Sequence, residues 1–120
     1  MSSSNLVENA YLLPWYPNTP EAGAFVFRSE EEMKHIWLSH GCKPEKLPRV
    51  DFTRAMVVAV FVDAGEYEKV PSITSIKKEG DAIKILYGMH KTRMGWKVLN
   101  PSCAIVVPIV EGNPEFVLVE

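Results

Sequence analysis

Residues 55–62 read Ala55-Met56-Val57-Val58-Ala59-Val60-Phe61-Val62. Eight consecutive residues without a polar member leave no side that water can wet. The run is shorter than the roughly 18 residues of a membrane span, and its β-branched valines disfavour a helix. It is therefore expected to be a central strand covered on both faces. Such a strand needs two apolar covers from elsewhere in the chain.

One cover lies upstream. Ser29 is a good N-cap and Glu32 completes a capping box, while Glu30, Glu31 and Glu32 place negative charge at the positive end of the helix dipole. Met33, Ile36, Trp37 and His40 recur at helical spacing and form one stripe, which Gly41 ends by supplying a left-handed C′ position. The helix has one face to bury and is expected to lie on the sheet. Ala24-Phe25-Val26-Phe27 before it is a short β-prone run. Pro44 and Pro48 forbid a continuous helix over residues 42–54, which read as a linker.

The other cover lies downstream. Ser72–Lys78 and Ile83–Tyr87 read as strands joined at Glu79-Gly80-Asp81, Trp96–Leu99 as a segment that pairs locally, and Ala104–Val107 as a strong strand ended by Pro108. After the turn Glu111-Gly112-Asn113-Pro114, Phe116–Val119 closes the chain. Six or seven strands, one helix and no second helix for crossovers predict an α+β, mainly β fold. The expected form is an antiparallel sandwich or curled open barrel with the helix packed on it. Residues 1–23 read as a Pro-rich leader in which Tyr11, Trp15 and Tyr16 pin the segment to the body, with Asn18 and Pro20 among its turn formers; residues 24–120 read as a single β domain.

Composition excludes several classes. The 120 residues are 47% hydrophobic and 23% charged with formal net charge −2, unlike a disordered tail or a strongly basic nucleic-acid binder. No apolar run is long enough for a membrane-spanning helix. The start, Met1-Ser2-Ser3-Ser4-Asn5, has neither a basic region nor an apolar stretch, so the chain as written is expected in the cytoplasm, or in the cell envelope if it is a trimmed mature form. Cys42 and Cys103 stand 61 positions apart and outside any Cys-x-x-Cys pair; two buried thiols are expected rather than one long-loop disulfide.

From Phe27 onward the order of features resembles the C-terminal domain of the protease complex subunit PrcB. The resemblance rests on Ser29-Glu30-Glu31 with Trp37, on Pro48 and Val50-Asp51-Phe52, and on Met56–Val60. It continues with Ser72-Ile73-Thr74-Ser75-Ile76, Gly80-Asp81, and Pro101 followed by Ile105–Ile109. Counted from Phe27 onward, the match covers about three quarters of the chain. Members usually carry a Gly-Gly-Tyr step before the Ser-Ile strand. Here Lys69-Val70-Pro71 stands there and Gly65-Glu66-Tyr67 lies upstream. The resemblance implies an accessory domain without catalysis of its own that binds or stabilises a protein partner, a protease being the class to expect.

No catalytic, metal or cofactor site is expected. His35, His40 and Cys42 are spaced poorly for the three converging ligands zinc needs, and His90 would have to arrive from a distant loop. No nucleophile elbow or phosphate loop occurs. Asp51, Asp63, Glu66 and Glu68 sit at strand ends and turns, where solvated acids are normal, and Asp51 is expected to cap the entrance to the central strand. The informative stretch is charge-asymmetric. From Ala82 to Val110 there is no acid, whereas Lys84, Lys91, Arg93 and Lys97 are present with His90, interleaved with Tyr87, Met89, Met94 and Trp96. Within it Tyr87, His90, Lys91, Arg93, Trp96 and Lys97 are the candidate binding residues for a protein partner. The alternative is a small ligand or an anionic polymer held by the 87–97 loop. Net charge argues against nucleic acid, and an ordinary exposed loop is the competing structural reading. Edge pairing through residues 104–109 would give a homodimer, which Pro108 opposes.

Overall fold

The computed structural model describes residues 5–15, 17 and 22–119. Tyr16, Asn18 and Pro20 of the leader lie outside the described residues. The strands are β1 (Tyr11–Leu12), β2 (Gly23–Phe27), β3 (Ala55–Phe61), β4 (Glu66–Tyr67), β5 (Lys69–Glu79), β6 (Ala82–Lys91), β7 (Val98–Leu99), β8 (Ser102–Pro108) and β9 (Asn113–Leu118), with one helix, α1 (Glu30–Ser39). They form a four-stranded sheet in the order β1-β8-β3-β2, a three-stranded sheet β5-β6-β9 and a two-stranded ribbon β4-β7. The fold is α+β and mainly β.

The alternation of side chains along β3 explains why its sequence is apolar throughout. Val57, Ala59 and Phe61 join Leu13, Trp15, Phe27, Met33, Trp37, Ala104 and Val106 in a core beneath the helix and leader. Met56, Val58 and Val60 join Ile73, Ile76, Ile83, Ile85, Ile105 and Val107 in a second core between the two larger sheets. Met56, Val57, Val58 and Ala59 are fully out of water. The central strand is thus the middle of three layers. Val62, the last member of the apolar run, lies past the strand end and is half-buried. Cys42 packs against the first core and Cys103 against the second, so the sheet separates the two thiols and no disulfide joins them.

Helix α1 begins as its sequence dictates. The Ser29 hydroxyl accepts from the Glu32 N–H at 3.2 Å, while the Glu32 carboxylate reaches back to the Arg28 N–H, one residue before the N-cap, at 3.4 Å. Met33 and Trp37 are buried on the sheet. His40 is the C-cap, its N–H bonded to the Ile36 carbonyl, and Gly41 follows at φ 73°. The supposed linker contains a 3-10 turn at Pro44–Lys46, and the Trp37 indole donates to the Lys43 carbonyl at 2.8 Å.

The chain departs from the hairpin pattern after β8. β9 does not return antiparallel beside β8; it crosses to the other sheet and pairs parallel with β6. β8 already has β3 on one edge and β1 on the other, so no edge remains for a hairpin partner. Arg28 holds the crossing, donating from Nη1 to the Val110 carbonyl at 2.7 Å and from Nη2 to the Gly112 carbonyl at 3.0 Å. Gly112 sits at φ 146°, and a Cβ there would come within 2.9 Å of Ile83. Arg28→Ala is therefore expected to cost about 2–3 kcal/mol, the value of charge-assisted bonds to half-buried carbonyls. Urea unfolding measures the loss, and amide exchange should show β9 opening before β3; an unchanged unfolding midpoint would remove this role.

Asn5 performs a similar task at the start of the chain. β5 carries a bulge between Ile73 and Ser75. The Asn5 side chain accepts from Ile76 N–H at 3.0 Å and donates to the Thr74 carbonyl at 3.3 Å, pairing backbone groups beside the bulge on the outer edge of β5.

Candidate functional site

The ribbon β4-β7 and the loop between β6 and β7 form the tip of an arm. At its root the β5–β6 hairpin pairs Val70 with His90 and Lys69 with Lys91. The Thr92 N–H then donates to the Glu68 carbonyl at 2.8 Å, and Glu66 and Tyr67 pair with Leu99 and Val98. Between these ties Arg93–Gly95 makes a 3-10 turn, closed by Trp96 N–H on the Arg93 carbonyl at 3.1 Å and by the Thr92 hydroxyl on the Trp96 carbonyl. Met94 adopts φ 57° and Gly95 φ 69°. Gly95 does so freely; Met94 pays a steric cost of about 1 kcal/mol for the left-handed region.

That backbone pushes apolar side chains into solvent. Met94 is 86% exposed, Trp96 66% and Leu99 67%. His90, Lys91, Arg93 and Lys97 are exposed around them. Five of the six candidate residues thus share the arm: His90, Lys91, Arg93, Trp96 and Lys97. Tyr87 does not join them. It lies further down β6, half-buried, with its ring edge-on to Phe116 at 6.4 Å. The strand period puts Tyr87 on the same inward face as Ile83 and Ile85, a distinction a linear count of aromatics does not make.

The charge of the arm is also more balanced than the sequence stretch implies. Lys84 stands at the opposite end of the hairpin, paired with Glu79 at 3.7 Å. Glu66 and Glu68 arrive from the neighbouring strand segment and are exposed at the tip's flank. Sequence reasoning singled out Glu66 and Glu68 as solvated turn acids but did not place them or Leu99 beside this loop, because the pairing of β4 with β7 is a contact across some thirty positions.

Asp51 accepts from the Thr53 hydroxyl at 2.5 Å and the Thr53 N–H at 3.1 Å, which hold its carboxyl below the ordinary aspartate range. It closes the turn entering β3, where its backbone carbonyl accepts from Ala55 N–H. Among the described residues no three His, Cys, Asp or Glu side chains converge as metal ligands. His35 is exposed, whereas His40 is buried edge-on to Phe61 at 4.5 Å.

A groove of about 460 Å³ runs between Leu12–Trp15 and the start of β5, lined also by Ser102, Cys103 and Ala104. Among its lining residues Cys103 alone ionises, and burial pushes its thiol above the usual range. Such a groove offers shape and a mostly apolar lining, with the hydroxyls of Ser72 and Ser102 beside the thiol. No described helix is long and apolar enough to cross a membrane. No family model, curated protein or solved structure matches this chain.

Proposed function

We propose that this chain is a non-catalytic protein-binding module that stabilises a complex through the tip of its arm. The observation that carries the reading is the exposure of Met94 and Trp96 on a loop tied down at both ends, with Leu99 exposed on the adjoining β7. Ordering the loop beforehand reduces the entropy lost on association, and tryptophan is among the residues that most often dominate binding energy. Lys91, Arg93 and Lys97 around these anchors favour a partner surface with an apolar pocket rimmed by carboxylates. The resemblance to the PrcB C-terminal domain supports the same class of role, with a protease as the partner.

A photo-reactive amino acid at position 94, beside Trp96 and 86% exposed, tests this in cells that make the protein. One partner should be trapped from position 94 and not from position 78 on the far end of the hairpin. Trp96→Ala should lower capture about tenfold or more, the effect of a hot-spot residue, with the near-ultraviolet spectrum of the buried tryptophans intact. Equal trapping from both positions, or capture indifferent to Trp96→Ala, rejects the reading. The alternative, an anionic polymer, draws on Trp96 lying between Arg93 and Lys97. Salt-sensitive binding of a single-stranded oligothymidylate that Trp96→Ala weakens would move the function there.

A further inference from the structure

We infer that the open edge of β2 is a second docking site, which takes up an extended peptide carrying apolar and basic residues as an added strand. β2 is the last strand of the four-stranded sheet, with β3 on one side and, among the described residues, no strand on the other. The N–H and C=O groups of alternate residues therefore point outward with no ladder partner.

The composition of the outer strands singles this edge out. β1 is two residues long, β5 carries Lys69, Pro71, Lys77 and Lys78, and β9 carries Pro114 and Glu115. Charges, prolines and shortness are the usual means by which a sheet edge is kept from pairing. β2 has none of them: it reads Gly23-Ala24-Phe25-Val26-Phe27.

The space beside that edge is shaped for side chains. A groove of about 480 Å³ separates β2 from α1, lined by Phe25, Val26, Phe27, Glu31, Glu32, His35 and Ile36. Phe25 gives it one wall, held by stacking at 5.5 Å, with planes 12° apart, on the buried ring of Phe27. Ile36 stands on the helix wall, and Glu31 and Glu32 supply negative charge, with no lysine or arginine lining the groove. An added strand would send every second side chain into this groove. An apolar residue there meets Phe25 and Ile36, and a lysine or arginine two positions away meets the carboxylates. Backbone bonds supply affinity and the groove supplies selectivity, the division of labour of strand addition. The arm tip shares no residue with this site, so the inference stands apart from the function proposed above.

The test is an amide-resolved NMR titration with the blocked pentapeptide Lys-Thr-Val-Thr-Lys, whose symmetry leaves strand direction open. Saturable shifts are expected over residues 23–36, together with slowed exchange of outward β2 amides. A version N-methylated along the backbone should not bind, and Glu31→Lys, an exposed change, should weaken binding about fivefold. Trp96→Ala should leave it unchanged. Three results overturn the inference: no saturable shift at millimolar peptide, equal binding of the N-methylated or Glu-Thr-Val-Thr-Glu peptide, or dimerisation of the protein through β2 that excludes the peptide.

Discussion

Trp15→Ala should lower the urea midpoint by about 2 M, a loss of about 3–5 kcal/mol for truncating a fully packed indole. That is a large share of the roughly 5–15 kcal/mol that holds a domain together. Trp15 is 3% exposed and sits where the leader meets the sheet and helix. Its ring lies 5.8 Å from Phe27 in a stack, and edge-on to Trp37 at 5.1 Å, Phe61 at 5.0 Å and His40 at 5.9 Å. Alanine would leave a void bounded by four rings that belong to β2, α1, its C-cap and β3. They are anchored in separate elements and cannot collapse onto it. Trp15→Phe should cost less than half as much. Phenylalanine keeps an aromatic contact, and the indole N–H it removes has no hydrogen-bond partner among the described residues. A midpoint that moves by less than about 0.5 M in Trp15→Ala would show that the leader is not part of the cooperative core.

Asn100→Ala should cost about 2–4 kcal/mol, by a different mechanism. Asn100 is buried and ties three segments together. Its carbonyl oxygen accepts from Gly65 N–H at 2.9 Å, its amide donates to the Pro17 carbonyl at 3.0 Å, and its own N–H donates to the Gly65 carbonyl at 2.8 Å. It does so at φ 48°, in the left-handed region that asparagine tolerates better than most side chains. Alanine loses both side-chain bonds and resists the backbone angle. Comparison with Asn100→Gly separates the two, since glycine restores the angle and not the bonds; it should recover about 1 kcal/mol. Equal losses in the two variants would mean that the backbone angle contributes nothing.

Asn100 also marks the limit of what local pattern conveys. In sequence, Asn100-Pro101 is a chain breaker between two strands, and that reading is correct as far as it goes. The bonds to Gly65 and Pro17 span 35 and 83 positions, and no composition or periodicity encodes them. The same holds for Arg28, whose two carbonyl partners lie 82 and 84 positions away. β9 shows the limit on pairing. Its apolar residues identify a strand, yet whether it returns beside β8 or crosses to β6 depends on which edges are already occupied. Of the six candidate residues picked from an acid-free stretch with interleaved aromatics, five lie together on the arm. Tyr87 fell out because the strand turned it inward, and Leu99, Glu66 and Glu68 came in because β4 and β7 pair.

What the amino-acid sequence determines alone is whatever rests on neighbours within a few residues. The capped helix at Ser29 follows from side chains three apart, and the covered strand at Met56–Phe61 from a run with no polar face. Those two signals are enough to require layers on both sides of one sheet. The tertiary structure decides which segments become the covers, which edge is left open at β2, and which side chains meet at the arm tip. Those outcomes depend on competition among edges and faces that are distant in the chain, and such competition is resolved only when the whole surface is buried at once.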